Sequence, residues 1–221
     1  MKDLQEKLKD LKDLGVVGVK QSTEDEGARY EDISLIRDIT RSVGLKLSVK
    51  VGGCEAISDM DFCSTIAADS IVAPMIESQF ALQKFTESVS RIKDTDFYIN
   101  VESKTAVTNI REILESGCVR LLKGVVVGRS DLSKSYGYGK GMVDSLLMQG
   151  KVEDILSLCK SRNLRTLMGG NINVNSIPFI KGLYEKSLIN CVETRNIILE
   201  LDDNNIDNLD DIIRQSILFE S

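Results

Sequence analysis

The sequence has no tryptophan, and phenylalanine and tyrosine bring its aromatic content to only 5%. It also lacks an excess of basic residues, because 34 aspartates and glutamates outnumber 28 lysines and arginines and give a net charge of −6. Surfaces that bind nucleic acid are normally basic, and those that bind single strands stack the bases on aromatic side chains. These two shortages exclude nucleic acid as an expected partner.

Paired cysteine motifs and long apolar runs are also missing. The five cysteines are scattered, and none forms the C-x-x-C pair of a zinc or redox site. They fit reduced cytosolic thiols. No apolar run approaches the ~20 residues that a membrane-spanning helix needs, and the charged N-terminus lacks the apolar region of a signal peptide. We therefore expect a soluble, cytoplasmic protein with no membrane partner.

Short apolar runs rich in β-branched residues alternate with amphipathic helical patterns along the chain. Such alternation builds a parallel sheet flanked by helices. We predict one α/β domain over residues 1–221, a (β/α)₈ TIM-type barrel with seven clear strands and an uncertain eighth. The strands are predicted at residues 16–20, 45–51, 70–73, 98–101, 124–127, 164–168 and 188–192, with 197–201 as the best candidate for the eighth.

Closure of the barrel could be irregular, or a partner chain could supply the missing strand. The last amphipathic helix, which carries Leu209, Ile212, Ile213 and Leu218, could pack on the barrel or on another subunit. We expect a homo-oligomer.

Two carboxylates follow neighbouring predicted strands in the middle of the chain. Glu102 comes directly after the run Ile99–Val101, and Asp131 stands just beyond Gly124–Val127. The carboxyl ends of barrel strands meet at one face, where active sites lie, so both carboxylates would arrive there. Two such groups suit a hard cation such as Mg²⁺, which leaves other positions to water or substrate. Each could instead be only an acid at a helix start, favoured by the helix dipole or acting as a cap.

Four short motifs surround these carboxylates: Ile71–Ser78 (IVAPMIES), Val101–Ala106 (VESKTA), Gly124–Gly128 (GVVVG) and Ser130–Ser133 (SDLS). In this order and spacing they resemble the HpcH/HpaI aldolase and citrate lyase β-subunit family, and the resemblance covers about residues 15–195.

The resemblance implies a (β/α)₈ barrel that uses Mg²⁺, Mn²⁺ or another divalent cation to hold a 2-oxo acid such as pyruvate, or a comparable acyl substrate. The cation stabilises the enolate that forms when a carbon–carbon bond breaks or forms. The metal-binding glutamate and aspartate of the family fall on Glu102 and Asp131.

Lys50, Arg129 and Glu24 are the candidates for catalysis. Lys50 ends a predicted strand on its polar face, where it could neutralise a substrate carboxylate or enolate, or could face solvent; the family usually has an arginine there. Arg129 could grip a carboxylate or phosphate, or pair with an acid such as Glu102. Glu24 lies in an acidic loop at the predicted rim and could be a general base, or the loop could simply be solvated.

The sequence contains no histidine, whereas the aldolases of this family carry one in the site. Metal binding can survive that loss, but a proton would have to move through metal-bound water or an acid of residues 24–26. The leading prediction is a metal-dependent carbon–carbon lyase acting on a 2-oxo acid. A Schiff base on Lys20 or Lys50 is the enzymatic alternative. A barrel or lyase subunit that binds a small acid or acyl-CoA without turnover is the non-catalytic one.

Overall fold

A computed structural model describes residues 2–23 and 27–220, and these form a closed barrel of eight strands. The order around the barrel follows the chain, and neighbouring strands from the first to the seventh pair in parallel. The predicted barrel is confirmed. Its strands are β1 (Val16–Ser22), β2 (Lys46–Lys50), β3 (Ser70–Ala73), β4 (Asp96–Val101), β5 (Gly124–Gly128), β6 (Arg165–Gly169), β7 (Cys191–Glu193) and β8 (Ile197–Glu200).

Helices cover the outside of the barrel, and most of them bury an apolar stripe. None of those within the described ranges is long and apolar enough to cross a membrane. The helices are α1 (Lys2–Asp13), α2 (Tyr30–Val43), α3 (Ile57–Thr65), α4 (Gln79–Val89), α5 (Lys104–Glu115), α6 (Arg129–Ser135), α7 (Leu146–Lys160), α8 (Ile177–Glu185) and α9 (Leu209–Phe219), with short 3₁₀ turns at Gly117–Leu121, Lys140–Met142 and Val174–Ser176.

The eighth strand makes the closure irregular. β8 runs antiparallel to both of its neighbours, β7 and β1, and a tight turn rather than a helix joins it to β7. Glu220, which follows α9, holds this turn by accepting hydrogen bonds from Thr194 Oγ1 at 2.6 Å and from the backbone N–H of Ile197 at 3.1 Å. Of the two expected alternatives, irregular closure by the chain itself is therefore the one observed.

The last helix packs on the barrel of its own chain. α9 buries Leu209, Ile212 and Ile213, whereas Leu218 is exposed. The apolar stripe of α9 therefore packs against its own chain. Assembly into a homo-oligomer stays a prediction.

A thin apolar layer divides the inside of the barrel into two cavities. The mouth cavity, of about 520 Å³, opens at the carboxyl ends of the strands. A smaller cavity, of about 250 Å³, opens at their amino ends. The main core lies between the sheet and the helices. The dividing layer consists of Val72, Tyr98, Val126, Leu167, Cys191 and Ile198.

Candidate active site

The mouth cavity brings together three of the five residues predicted to form the site. Lys50 at the end of β2, Glu102 after β4 and Asp131 in the first turn of α6 all line it. Active sites of this barrel type lie at the same face, where loops follow the strands. Glu24 lies outside the described residues, and Arg129 is not among the described residues that line the cavity.

Glu102 is a buried carboxylate of the mouth cavity, with only 2% of the residue exposed. Its Oε1 accepts the backbone N–H of Met75 at 3.1 Å, and its Oε2 accepts Nδ2 of Asn100 at 2.9 Å. Nζ of Lys50 lies 3.6 Å from the same Oε2. An ionised carboxylate has about four lone-pair positions, so the two hydrogen bonds orient Glu102 and leave capacity for a cation.

The loop after β3 supplies one of these hydrogen bonds because it is anchored to α5. The Ser103 hydroxyl donates to the side chain of Glu77, and Nδ2 of Asn109 donates to the Glu77 carbonyl at 2.8 Å. Met75, in this loop, adopts a left-handed backbone with φ of +52° and directs its N–H at Glu102. The motifs recognised in the sequence therefore meet in space around one carboxylate.

Gly128 ends β5 directly against the Glu102 side chain. A Cβ atom at this position would lie 2.8 Å from Oε2 and 3.0 Å from Cβ of Glu102. α6 begins at the next residue, so β5 continues directly into α6 at the wall of the mouth cavity. Glycine is needed because any side chain would occupy the space of the carboxylate.

Asp131 reaches the mouth cavity from the first turn of α6. Its side chain is 33% exposed, and its Oδ1 lies 2.9 Å from Nζ of Lys134, one turn along the same helix. Exposed pairs of this kind contribute little free energy. A divalent cation can therefore replace Lys134 as the partner of Asp131.

Arg129 is not placed to grip a substrate, and this corrects the expectation from the sequence. Its side chain is fully buried, with Nη1 donating to Asp144 Oδ1 at 2.6 Å. Nη2 donates to the Ser176 hydroxyl at 3.0 Å and to the Asn171 carbonyl at 3.3 Å. Burial lowers the pKa of the guanidinium, and the Asp144 carboxylate partly offsets this. Arg129 thus ties the loop after β6 to the segment before α7, behind the cavity, and does not pair with Glu102.

Two functional candidates of the mouth cavity were not found from the sequence, Asn100 and Glu193. Asn100 orients Glu102 from within β4. Its role becomes visible only once the structure shows which residues of this strand face the inside of the barrel. Glu193 ends β7, and its Oε2 accepts a hydrogen bond from Nζ of Lys20 at 3.2 Å. A carboxylate directly after an apolar run is the same signal that pointed to Glu102, so residue 193 could have been found by the same rule.

The oxygen donors at the mouth fit a hard cation. Glu102 and Asp131 contribute carboxylates, and Oδ1 of Asn100 is buried beside Glu102 with no hydrogen-bond partner in the described part of the chain. Within residues 2–23 and 27–220, no three histidine, cysteine, aspartate or glutamate side chains group as a metal cage. Mg²⁺ usually binds through one or two carboxylates and keeps several waters, so this open set suits it better than a closed zinc-type site.

The chain is similar to known proteins in sequence and in fold. The model of a family described as HpcH/HpaI aldolase/citrate lyase matches residues 25–169, more than half of the chain. A search of the curated proteins finds no match.

Solved structures share the fold at low identity. A variant of the citrate synthase SbnG has a TM-score of 0.66 and 14% identity, covering 96% of this chain and 98% of its own. An HpcH/HpaI aldolase from Desulfitobacterium hafniense DCB-2 has a TM-score of 0.65 and 12% identity, covering 90% and 82%. RipC from Yersinia pestis has a TM-score of 0.58 and 15% identity, covering 88% and 87%.

Proposed function

Because the chain belongs to the HpcH/HpaI aldolase/citrate lyase family, we propose that it is a divalent-metal-dependent carbon–carbon lyase acting on a 2-oxo acid. Members of this family are aldolase- and citrate lyase-type lyases. One observation carries the proposal: Glu102 and Asp131, which the resemblance puts on the family's metal-binding carboxylates, line the same cavity at the mouth of the barrel.

Glu102 and Asp131 would hold Mg²⁺ or Mn²⁺ through carboxylate oxygens. When bound, the cation would supply the positive charge that polarises the oxo group of the acid. Met75 and Asn100 fix the Glu102 carboxylate through their N–H groups, so the ligand does not have to reorganise when the cation arrives. Such preorganisation is what makes electrostatic stabilisation effective.

Lys50 is a cationic residue of the mouth cavity that can meet the substrate. Its side chain is 15% exposed in the mouth cavity, and its 3.6 Å separation from Glu102 exceeds a normal hydrogen-bond distance. We propose that, in this cavity, the ammonium meets the carboxylate of a 2-oxo acid. Its charge would favour the enolate, which carries one more negative charge than the acid.

Exchange of the methyl protons of pyruvate in D₂O tests the proposal without knowledge of the second substrate. We expect NMR to show exchange with Mg²⁺ and its loss with EDTA. Binding of Mg²⁺ and pyruvate without exchange would instead favour a barrel that holds a small acid or acyl-CoA without turnover, the alternative that the lack of histidine supports. Cytoplasmic localisation stays a prediction.

Gly128→Ala is expected to disable the site without unfolding the protein. The new Cβ would have to displace the Glu102 carboxylate, at a stability cost of about 1–3 kcal/mol for overpacking. We expect Mg²⁺ affinity, measured by isothermal titration calorimetry, to fall about 10-fold or more, as it does when the orientation of a metal ligand is lost.

Gly150→Ala is the matched control, because a Cβ there meets nothing within 4 Å and the residue lies in α7. Its stability should stay the same or rise by up to about 1 kcal/mol. Unchanged Mg²⁺ affinity in Gly128→Ala would contradict the role given to Glu102.

A further inference from the structure

A second ion pair crosses the mouth cavity and takes no part in the metal site described above. Nζ of Lys20, on β1, lies 3.2 Å from Oε2 of Glu193, on β7. The side chain of Lys20 is 20% exposed and that of Glu193 is 4% exposed, and both residues line the mouth cavity. The ammonium is therefore the accessible member of the pair, and the carboxylate lies behind it.

The carboxylate of Glu193 is only half satisfied. Oε2 accepts from Lys20, but Oε1 is buried with no hydrogen-bond partner among residues 2–23 and 27–220. In Glu102, by contrast, each oxygen accepts an N–H. A buried charged oxygen without a donor is costly, and a purely structural ion pair would be expected to satisfy it.

The pair also fills a chemical gap in the site. The chain has no histidine, so no imidazole can exchange a proton with the substrate. Lysine and glutamate act as acids and bases when a neighbour can hold the proton. A proton moving from Nζ of Lys20 to the Glu193 carboxylate leaves a neutral amine at the cavity wall and a neutral acid in the buried position.

We propose that Lys20 is the acid–base catalytic residue of this site and that Glu193 is its positioning residue and holds its proton. The proposal rests on the proposed function. In exchange, Nζ passes a proton to Oε2 of Glu193, and the amine then takes a proton from the methyl group of pyruvate. The C–H electron pair forms the carbon–carbon double bond of the enolate, and the carbonyl π electrons move to its oxygen.

Cleavage uses the same groups in the same order. The amine of Lys20 takes the hydroxyl proton of a 4-hydroxy-2-oxo acid, the bond between C3 and C4 breaks, and an aldehyde leaves. The electrons of that bond form the enolate. The ammonium then gives a proton to C3, and Glu193 returns its proton to Lys20, so the chain ends as it began.

Lys20→Arg tests whether Lys20 transfers a proton or only supplies a positive charge. Arginine keeps a positive group beside Glu193, but its guanidinium does not deprotonate in proteins. With Mg²⁺ present, we expect the dissociation constant of pyruvate from NMR titration to stay within about threefold while methyl exchange slows at least about 100-fold. Lys186→Arg is the control, since Lys186 pairs with Glu153 at 2.6 Å outside the mouth cavity, and it should exchange at the wild-type rate.

Glu193→Gln tests the positioning residue. Glutamine keeps the size of the side chain and an oxygen acceptor for Lys20, but it cannot hold the proton. We expect exchange to slow about 10–100-fold with pyruvate affinity and thermal unfolding unchanged, and Glu193→Asp to restore part of the rate. Wild-type exchange in Glu193→Gln would overturn its role.

The outcomes keep this inference apart from the proposed function. No exchange in the wild type with Mg²⁺ overturns both. Exchange in the wild type and at full rate in Lys20→Arg overturns only the role of Lys20. Borohydride trapping of pyruvate on Lys20, detected by mass spectrometry, would show an imine and would likewise overturn the proton-transfer role.

Discussion

Glu102→Gln is expected to lower both Mg²⁺ affinity and methyl exchange of pyruvate at least about 100-fold. Mutation of a residue that only orients a metal ligand typically lowers metal affinity or activity 10–100-fold. Loss of the ligand's own charge should lower them at least as much. Glutamine also replaces one oxygen with an NH₂ group, which would face donors at Met75 or Asn100. Calorimetric titration with Mg²⁺ and NMR of pyruvate in D₂O measure the two effects.

The fold should survive this change, which separates lost chemistry from lost structure. Lys50 keeps contact with the mouth cavity, where water can solvate it once Glu102 is neutral. Glu153→Gln, in an exposed pair with Lys186, is the matched control and should bind Mg²⁺ as the wild type does. If Glu102→Gln retained metal-dependent exchange, the cation would have to bind elsewhere.

Asp144→Ala is expected to destabilise the protein by about 3–5 kcal/mol, because it leaves the fully buried guanidinium of Arg129 without its charged partner. Only the Ser176 hydroxyl and the Asn171 carbonyl would remain as acceptors among those observed. Urea unfolding with linear extrapolation measures the loss. Asp144→Ala combined with Arg129→Met should recover part of the stability, since it removes both charges.

A surface pair provides the control for this measurement. Asp210 accepts from Arg214 at 2.8 Å on the exposed side of α9, and Asp210→Ala should cost less than about 1 kcal/mol. An equally small cost for Asp144→Ala would contradict the structural role of Arg129 and would reopen its assignment as a substrate grip.

The strand pattern was enough to predict where the two carboxylates lie. Glu102 and Asp131 follow apolar runs, and parallel strands in a barrel bring their carboxyl ends to one face. The direction of β8 could not be read from Ile197–Glu200, because a short apolar run gives no sign of the direction in which its strand pairs. The short connection between β7 and β8 does indicate an antiparallel pair, because it has only three residues. A crossover between parallel strands needs about a dozen residues.

Side-chain partners distant in sequence were beyond prediction. The charge partner of Arg129 is Asp144, 15 residues away in a segment without a periodic pattern. No pattern in the sequence therefore indicated that the side chain of Arg129 points inward. Lys20 and Glu193 are 173 residues apart and meet only because β8 closes the barrel between their strands. Composition recorded the missing histidine but could not show which groups stand in its place.

A crystal structure with Mn²⁺ and pyruvate would test the metal-dependent site most directly, because anomalous scattering identifies Mn²⁺ without relying on its ligands. We predict an anomalous peak in the mouth cavity bound by Glu102 and Asp131, with the carboxylate of pyruvate beside Lys50. Pyruvate in the cavity without Mn²⁺, or joined to a lysine as an imine, would contradict a metal-dependent lyase.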